Sequence, residues 1–205
     1  MRGSISDKIY EVIKGLAPGT VIFPEQFLEL GPSTAVNMAL SRLTKQGTIL
    51  RMAKGIYTTP KTDPELGRLR PSLEQIAKAI AERDHITIRH TGAYALNALG
   101  LSTQVPMKVV FLTNGQTRKI KVGRGTMTFK GTTEKVMMVK SDLVFLCVQA
   151  IQELGKNGIT EDVIKKLTSV LQSVGPQQLR TDAKLAPIWI RQILDAIAAK
   201  IEQHD

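Results

Sequence analysis

The stretch Ser33–Thr59, STAVNMALSRLTKQGTILRMAKGIYTT, changes its periodicity halfway along. In the first half Val36, Ala39, Leu40 and Leu43 recur at the spacing of one helix face, and Gly47 ends the pattern. After it the chain reads as two short β-rich runs, Thr48–Met52 and Ile56–Thr59, about the turn Ala53-Lys54-Gly55. A three-residue loop containing glycine between such runs predicts a hairpin.

Upstream, Ile5, Ile9, Val12 and Ile13 place one apolar face on a helix over Ser4–Gly15. Pro18-Gly19 turns the chain, Val21–Phe23 reads as a small strand, and Pro24 opens a short helix, PEQFLEL, stopped by Gly31. Three short helices followed directly by a hairpin are the order of a winged helix-turn-helix. The third helix, opened by Pro32-Ser33 and running to about Gln46, is then the one that enters a DNA major groove. Tyr57 is expected to pack the hairpin onto the helices.

The charge pattern agrees with that reading. The 205-residue chain carries a net charge of +10 and a pI near 9.8, which favours a polyanionic partner. The excess lies in two places. Pro32–Lys61 holds Arg42, Lys45, Arg51, Lys54 and Lys61 with no acid, and Pro106–Lys140 holds eight basic residues against Glu134 alone. The outward face of the third helix should be Ser33, Thr34, Asn37, Met38, Ser41, Arg42 and Lys45, free of carboxylates. Ser33 and Thr34, with the unpaired N–H groups of a helix start, suit a phosphate. Asn37 matches adenine and Arg42 guanine, while Lys45, Arg51 and the wing-tip Lys54 suit backbone phosphates.

Pro60–Pro71, PKTDPELGRLRP, reads as a linker, dividing the chain into 1–60, 61–71 and 72–205. Beyond it Ser72 caps the helix SLEQIAKAIAERD, Ile86–Arg89 is a strand, and TGAYALNAL over Thr91–Leu99 is a small-residue helix. Met107–Leu112 is an apolar strand, and Arg118–Val122 and Thr126–Lys130 flank Gly123-Arg124-Gly125 as a second hairpin. Its basic residues Arg118, Lys119, Lys121 and Arg124 offer either a solvated sheet face or an accessory nucleic-acid surface. From about residue 142 the chain reads as helical. Asp142 caps Leu143–Leu154, and helices follow over Thr160–Gln172, Gln177–Ala183 and Pro187 onward. The expected class is therefore α+β: a winged helix-turn-helix, then a mixed α/β domain ending in a helical bundle.

Little in the chain points to catalysis. Hydrophobic residues at 42% and charged residues at 22% are an ordinary soluble globular mix, and no apolar run approaches the roughly 18 residues of a membrane span. The N-terminal residues show no secretory pattern, and the single Cys147 sits in the apolar run LVFLCVQAI, as a cytoplasmic protein would have it. His85 and His90 flank a strand without clustered acids or thiols, so neither a metal nor another cofactor is expected. Only Phe111 and Phe129 lie in the strand-rich stretch, which argues against stacking of single-stranded bases. An Mg²⁺-dependent nuclease would need clustered carboxylates, and residues 85–140 offer Glu134 alone. The sequence is thus read as non-enzymatic. An interaction module that neutralises an acidic partner directly, with incidental DNA binding, is the alternative.

Two segments carry a family resemblance. ALSRLTKQGTILRMAKGIYTTP, Ala39–Pro60, resembles the winged-helix segment of the AbiEi-like antitoxins, and HTGAYALNALGLSTQVPMKVVFLTNG, His90–Gly115, resembles the middle of their DUF6088-type branch. That resemblance implies a DNA-binding N-terminus, a C-terminal antitoxin domain and autorepression of an operon through double-stranded operator DNA, on inverted repeats where the protein pairs. It also implies a role in phage defence and a neighbouring nucleotidyltransferase-like toxin that is neutralised without a tight complex. It supplies no catalytic residues. By position in the winged helix it assigns DNA contact to Thr34, Asn37, Ser41, Arg42, Lys45 and Lys54.

Overall fold

Helix α1 (Ile5–Lys14) starts where the Ser4 hydroxyl accepts the Asp7 N–H at 3.2 Å while the Asp7 carboxylate accepts the Ser4 N–H at 2.9 Å. This reciprocal cap satisfies two donors that a helix start leaves unpaired. The computed structural model to which this helix belongs describes residues 4–104 and 108–203. It is of the α+β class and divides into two compact units, residues 1–84 with 120–127 and residues 85–119 with 128–205.

In the first unit α1 is followed by β1 (Val21–Ile22), a 3₁₀ helix (Pro24–Leu30) and α2 (Ser33–Lys45). Strands β2 (Leu50–Ala53) and β3 (Ile56–Thr58) come next. The strands form one antiparallel sheet in the order β1-β3-β2, with Ile22 opposite Tyr57 and Arg51 also opposite Tyr57. A register shift between Arg51 and Ala53 marks a bulge at Met52. Val36, Ala39, Leu40 and Leu43 of α2 are buried with Ile9, Ile13, Ile22, Phe27, Ile49 and Tyr57 in one core. Tyr57 thus anchors the hairpin, as its sequence context predicted. Val12 does not join that core. The contacts of α1 with α2 and the 3₁₀ helix cover its Ile9–Ile13 side and leave Val12 48% exposed.

The expected linker 61–71 is partly structured. Strands β4 (Lys61–Asp63) and β5 (Gly67–Leu69) pair antiparallel, Lys61 opposite Leu69. The Asp63 carboxylate accepts the N–H groups of Glu65 and Leu66, both at 2.9 Å, and Gly67 closes the turn at φ +71°. Its side chains are mostly exposed, so the segment shows no apolar alternation to betray it. Helix α3 (Leu73–Arg83), capped by Ser72 and Gln75, completes this part of the chain and falls in the first unit rather than with the residues after it.

The second unit contains β6 (Ile88–His90), α4 (Gly92–Ala98) and β7 (Val109–Thr113). Met107, the expected start of β7, lies outside the described residues. Strands β8 (Arg118–Val122) and β9 (Gly125–Gly131), of which residues 120–127 fall in the first unit, give the sheet order β6-β7-β9-β8. A short α5 (Glu134–Met137) leads to α6 (Asp142–Leu154), α7 (Glu161–Leu171), α8 (Pro176–Ala183) and α9 (Ile188–Glu202). Helix α6 is apolar nearly all round and lies in the core with Ala95, Leu167, Leu179, Ile190, Leu194 and Ile197.

The cap of α6 is Ser141, whose hydroxyl accepts the Val144 N–H at 3.3 Å, and not Asp142. Asp142 instead accepts a 2.6 Å bond from Arg89, which also donates to the Val139 carbonyl at 2.7 Å and lies over the Phe145 ring. The buried Asp182 carboxylate accepts the Lys140 and Ser141 N–H groups at 3.1 and 2.9 Å. A β-strand and a distant helix therefore hold the entry to α6 by charge-assisted hydrogen bonds.

Candidate nucleic-acid interface

Helix α2 buries one face by its 3.6-residue period, so everything off that face is turned outward. Ser33, Thr34, Asn37, Met38, Ser41, Arg42 and Lys45 are all exposed. The β2–β3 hairpin adds Arg51 on β2 and Lys54 in the turn, both exposed. All nine residues picked out in the N-terminal sequence therefore reach solvent on α2 and its following hairpin.

The N-terminus of α2 differs from those of α1 and α3. Pro32 occupies the cap position and no side chain caps the helix, whereas Ser4 and Ser72 cap the other two. Its first N–H groups remain available, and the helix dipole adds partial positive charge there. One turn on, the Asn37 side-chain amide donates to the Ser33 hydroxyl at 3.4 Å. With one N–H so engaged, the exposed Asn37 amide keeps a carbonyl oxygen and a second N–H, the donor–acceptor pair that an adenine edge requires. In the β2–β3 turn Gly55 takes φ +69°, and a Cβ added there would meet nothing within 4 Å.

Nearby, Arg83 of α3 lies over the Phe23 ring and pairs with Asp84 at 2.7 Å. The Asp84 bond raises its pKa further, and Glu25 at 4.0 Å adds to this. This arginine is engaged within the fold. A small surface pocket of about 240 Å³, lined by Pro18, Gly19, Lys61, Arg70 and Gln75 among others, adds two cations and no carboxylate to the first unit. Lys61 belonged to the basic run read from the sequence. Arg70 comes beside it only through the β4–β5 hairpin, which falls in the expected linker 61–71.

In the β8–β9 hairpin the expected alternation holds for Lys119 and Lys121, which are exposed while Val122 is buried, and Arg124 is exposed at the turn. Arg118 departs from the expected basic face. It has the parity of Ile120 and Val122, is half-buried, and stacks its guanidinium 5.1 Å from the centre of the Phe129 ring. The exposed cations of this hairpin are therefore Lys119, Lys121 and Arg124.

The remaining candidates have structural surroundings. His90 stacks on Tyr94 with ring centres 3.6 Å apart, and Phe111 lies 5.0 Å away. Phe111 and Phe129 are buried, so neither offers a stacking platform. Among the described residues no group of three or more His, Cys, Asp or Glu side chains is placed to hold a metal ion. Burial pushes the Cys147 thiol up to about 12, far from a reactive thiolate. No helix of the described residues is long and apolar enough to cross a membrane. A cleft of about 780 Å³ between α7 and α9, lined by Ile159, Ile164, Lys165 and Ile201 among others, had no counterpart in the sequence reading. It arises where two helices distant in sequence meet.

The chain is thus an α+β protein that exposes a carboxylate-free helix face beside a basic hairpin. Residues 8–179 match a family described only as one of unknown function, DUF6088, and the chain belongs to that family. No curated protein matches it. Among solved structures it is similar to the RV2827C protein from Mycobacterium tuberculosis at 11% identity and a TM-score of 0.41, with 94% of this chain and 81% of that chain covered. A likeness that low carries no inference about fold or function.

Proposed function

We propose that residues 4–60 form a winged helix-turn-helix and that the protein is a non-enzymatic, cytoplasmic DNA-binding repressor of its own operon. One observation carries this reading: the exposed face of α2 and the adjoining wing present amides, hydroxyls and the cations Arg42, Lys45, Arg51 and Lys54 with no carboxylate among them. Such a face meets a phosphate-lined groove without like-charge repulsion. In this mechanism α2 reads bases through Asn37 and Arg42. Its uncapped N-terminus, Lys45, Arg51 and Lys54 hold the backbone, and bound protein occludes the operator. The second unit, read as an α+β body closing on a helical bundle, carries the antitoxin function toward a nucleotidyltransferase-like toxin encoded alongside. Support for this half is the resemblance of Ala39–Pro60 and His90–Gly115 to AbiEi-like antitoxins.

A gel shift with duplex from the gene's own upstream region tests the repressor half. Wild-type protein should prefer it to random duplex, and Arg42→Ala should lose roughly 1–3 kcal/mol of that preference. If neither protein prefers the upstream duplex, the reading fails. Co-expression with the neighbouring open reading frame tests the antitoxin half, and restored growth is the expected result.

A further inference from the structure

Met38 stands on α2 outside the buried core. At about 100° per residue it lies roughly 150° around the α2 axis from the mean direction of Val36, Ala39, Leu40 and Leu43. Those four are buried against the first unit's core, while Met38 is 58% exposed. Its neighbours one turn away on either side are Thr34 and Arg42, both exposed and polar. An unbranched thioether thus crowns a helix face on which the other exposed side chains are polar or charged.

We propose that Met38 is a specificity residue of the DNA site and that it reads the C5-methyl group of a thymine. This rests on the DNA-binding reading above, and the geometry supplies the rest. If α2 lies in a major groove, the residues away from its core-facing side, Thr34, Met38, Ser41 and Lys45, face the base edges, and Met38 is the one among them without a hydroxyl or a charge. Four kinds of base edge are presented there, and their polar atoms find on a methionine side chain only a weak acceptor, the thioether sulfur. The thymine methyl is the one apolar group they offer. Asn37 and Arg42 then read neighbouring bases by hydrogen bonds, and Met38 adds contact with a hydrocarbon surface that excludes water.

The test uses the full-length protein and duplexes enriched from a random library by repeated selection. Each thymine of the best duplex is replaced in turn by deoxyuridine, which removes the methyl and keeps every hydrogen-bonding atom. Wild-type protein is expected to lose roughly four-fold in affinity at one thymine, the burial of about one methyl group. Met38→Ala is expected to bind the thymine duplex less tightly and to lose nothing further on that replacement. Met38→Leu keeps the response. Such non-additivity marks direct contact between the two groups. Equal losses in wild type and Met38→Ala, or no thymine that matters to wild type, overturn the inference and leave the DNA-binding reading standing. Selection that enriches no duplex overturns both.

Discussion

Asp63 shows how far one side chain can organise a segment that looks featureless. Its carboxylate accepts the Leu66 and Glu65 N–H groups, and these bonds hold its pKa below the ordinary aspartate value of 3.8. Because the folded value is depressed, this support for the β4–β5 turn is present above the unfolded pKa and is lost as pH falls through the lower folded value. A carboxyl-carbon NMR titration should place the Asp63 midpoint below 3.8, with the Glu65 and Leu66 amide shifts following it. A midpoint at or above that value would contradict the turn. Arg118 makes the opposite point: a basic residue in a basic strand, it turns inward because an aromatic face, Phe129, is there to receive it.

Among the elements, α4 and α6 meet closely at Gly92. A Cβ added to Gly92 would lie 2.6 Å from the Glu153 Cβ and 2.7 Å from the Gln149 carbonyl oxygen, both on α6. The backbone oxygen cannot rotate away, so Gly92→Ala must push the helices apart. We expect it to destabilise the protein by roughly 1–3 kcal/mol in urea unfolding, the usual cost of overpacking. Unchanged stability would mean that the two helices do not meet so closely. Helix α2 behaves differently. Its packing side is set by Val36, Ala39, Leu40 and Leu43, and its other side is left to chemistry. That is why both its bounds and its outward residues were legible beforehand, whereas the pairing partner of α4 was not.

For the whole molecule the net charge of +10 makes salt the decisive variable. If Lys45, Arg51 and Lys54 each neutralise one phosphate, log K should fall with log salt at a slope of roughly −2.7, and three more contacts from Lys119, Lys121 and Arg124 would bring it to roughly −5.4. The steeper value is expected if these three exposed cations serve as an accessory surface, and the shallower one if they are a solvated sheet face. Replacing all three with Gln should flatten the slope by about two to three units. A slope that the triple substitution leaves unchanged would remove the β8–β9 hairpin from the interface.

By itself the sequence determined the succession of elements in the N-terminal sixty residues, the core side of α2, and a run of thirty residues that holds cations and no acids. Those are local properties, since a helix period, a turn residue and a charge are each visible within a few positions. Tertiary structure alone decided that Val12 stays in water, that Arg118 folds inward, and that Arg89 and Asp182 hold the entry to α6 from 53 and 42 residues away in the chain. Each of those outcomes depends on which group arrives opposite, and no periodicity in a single segment encodes its distant partner.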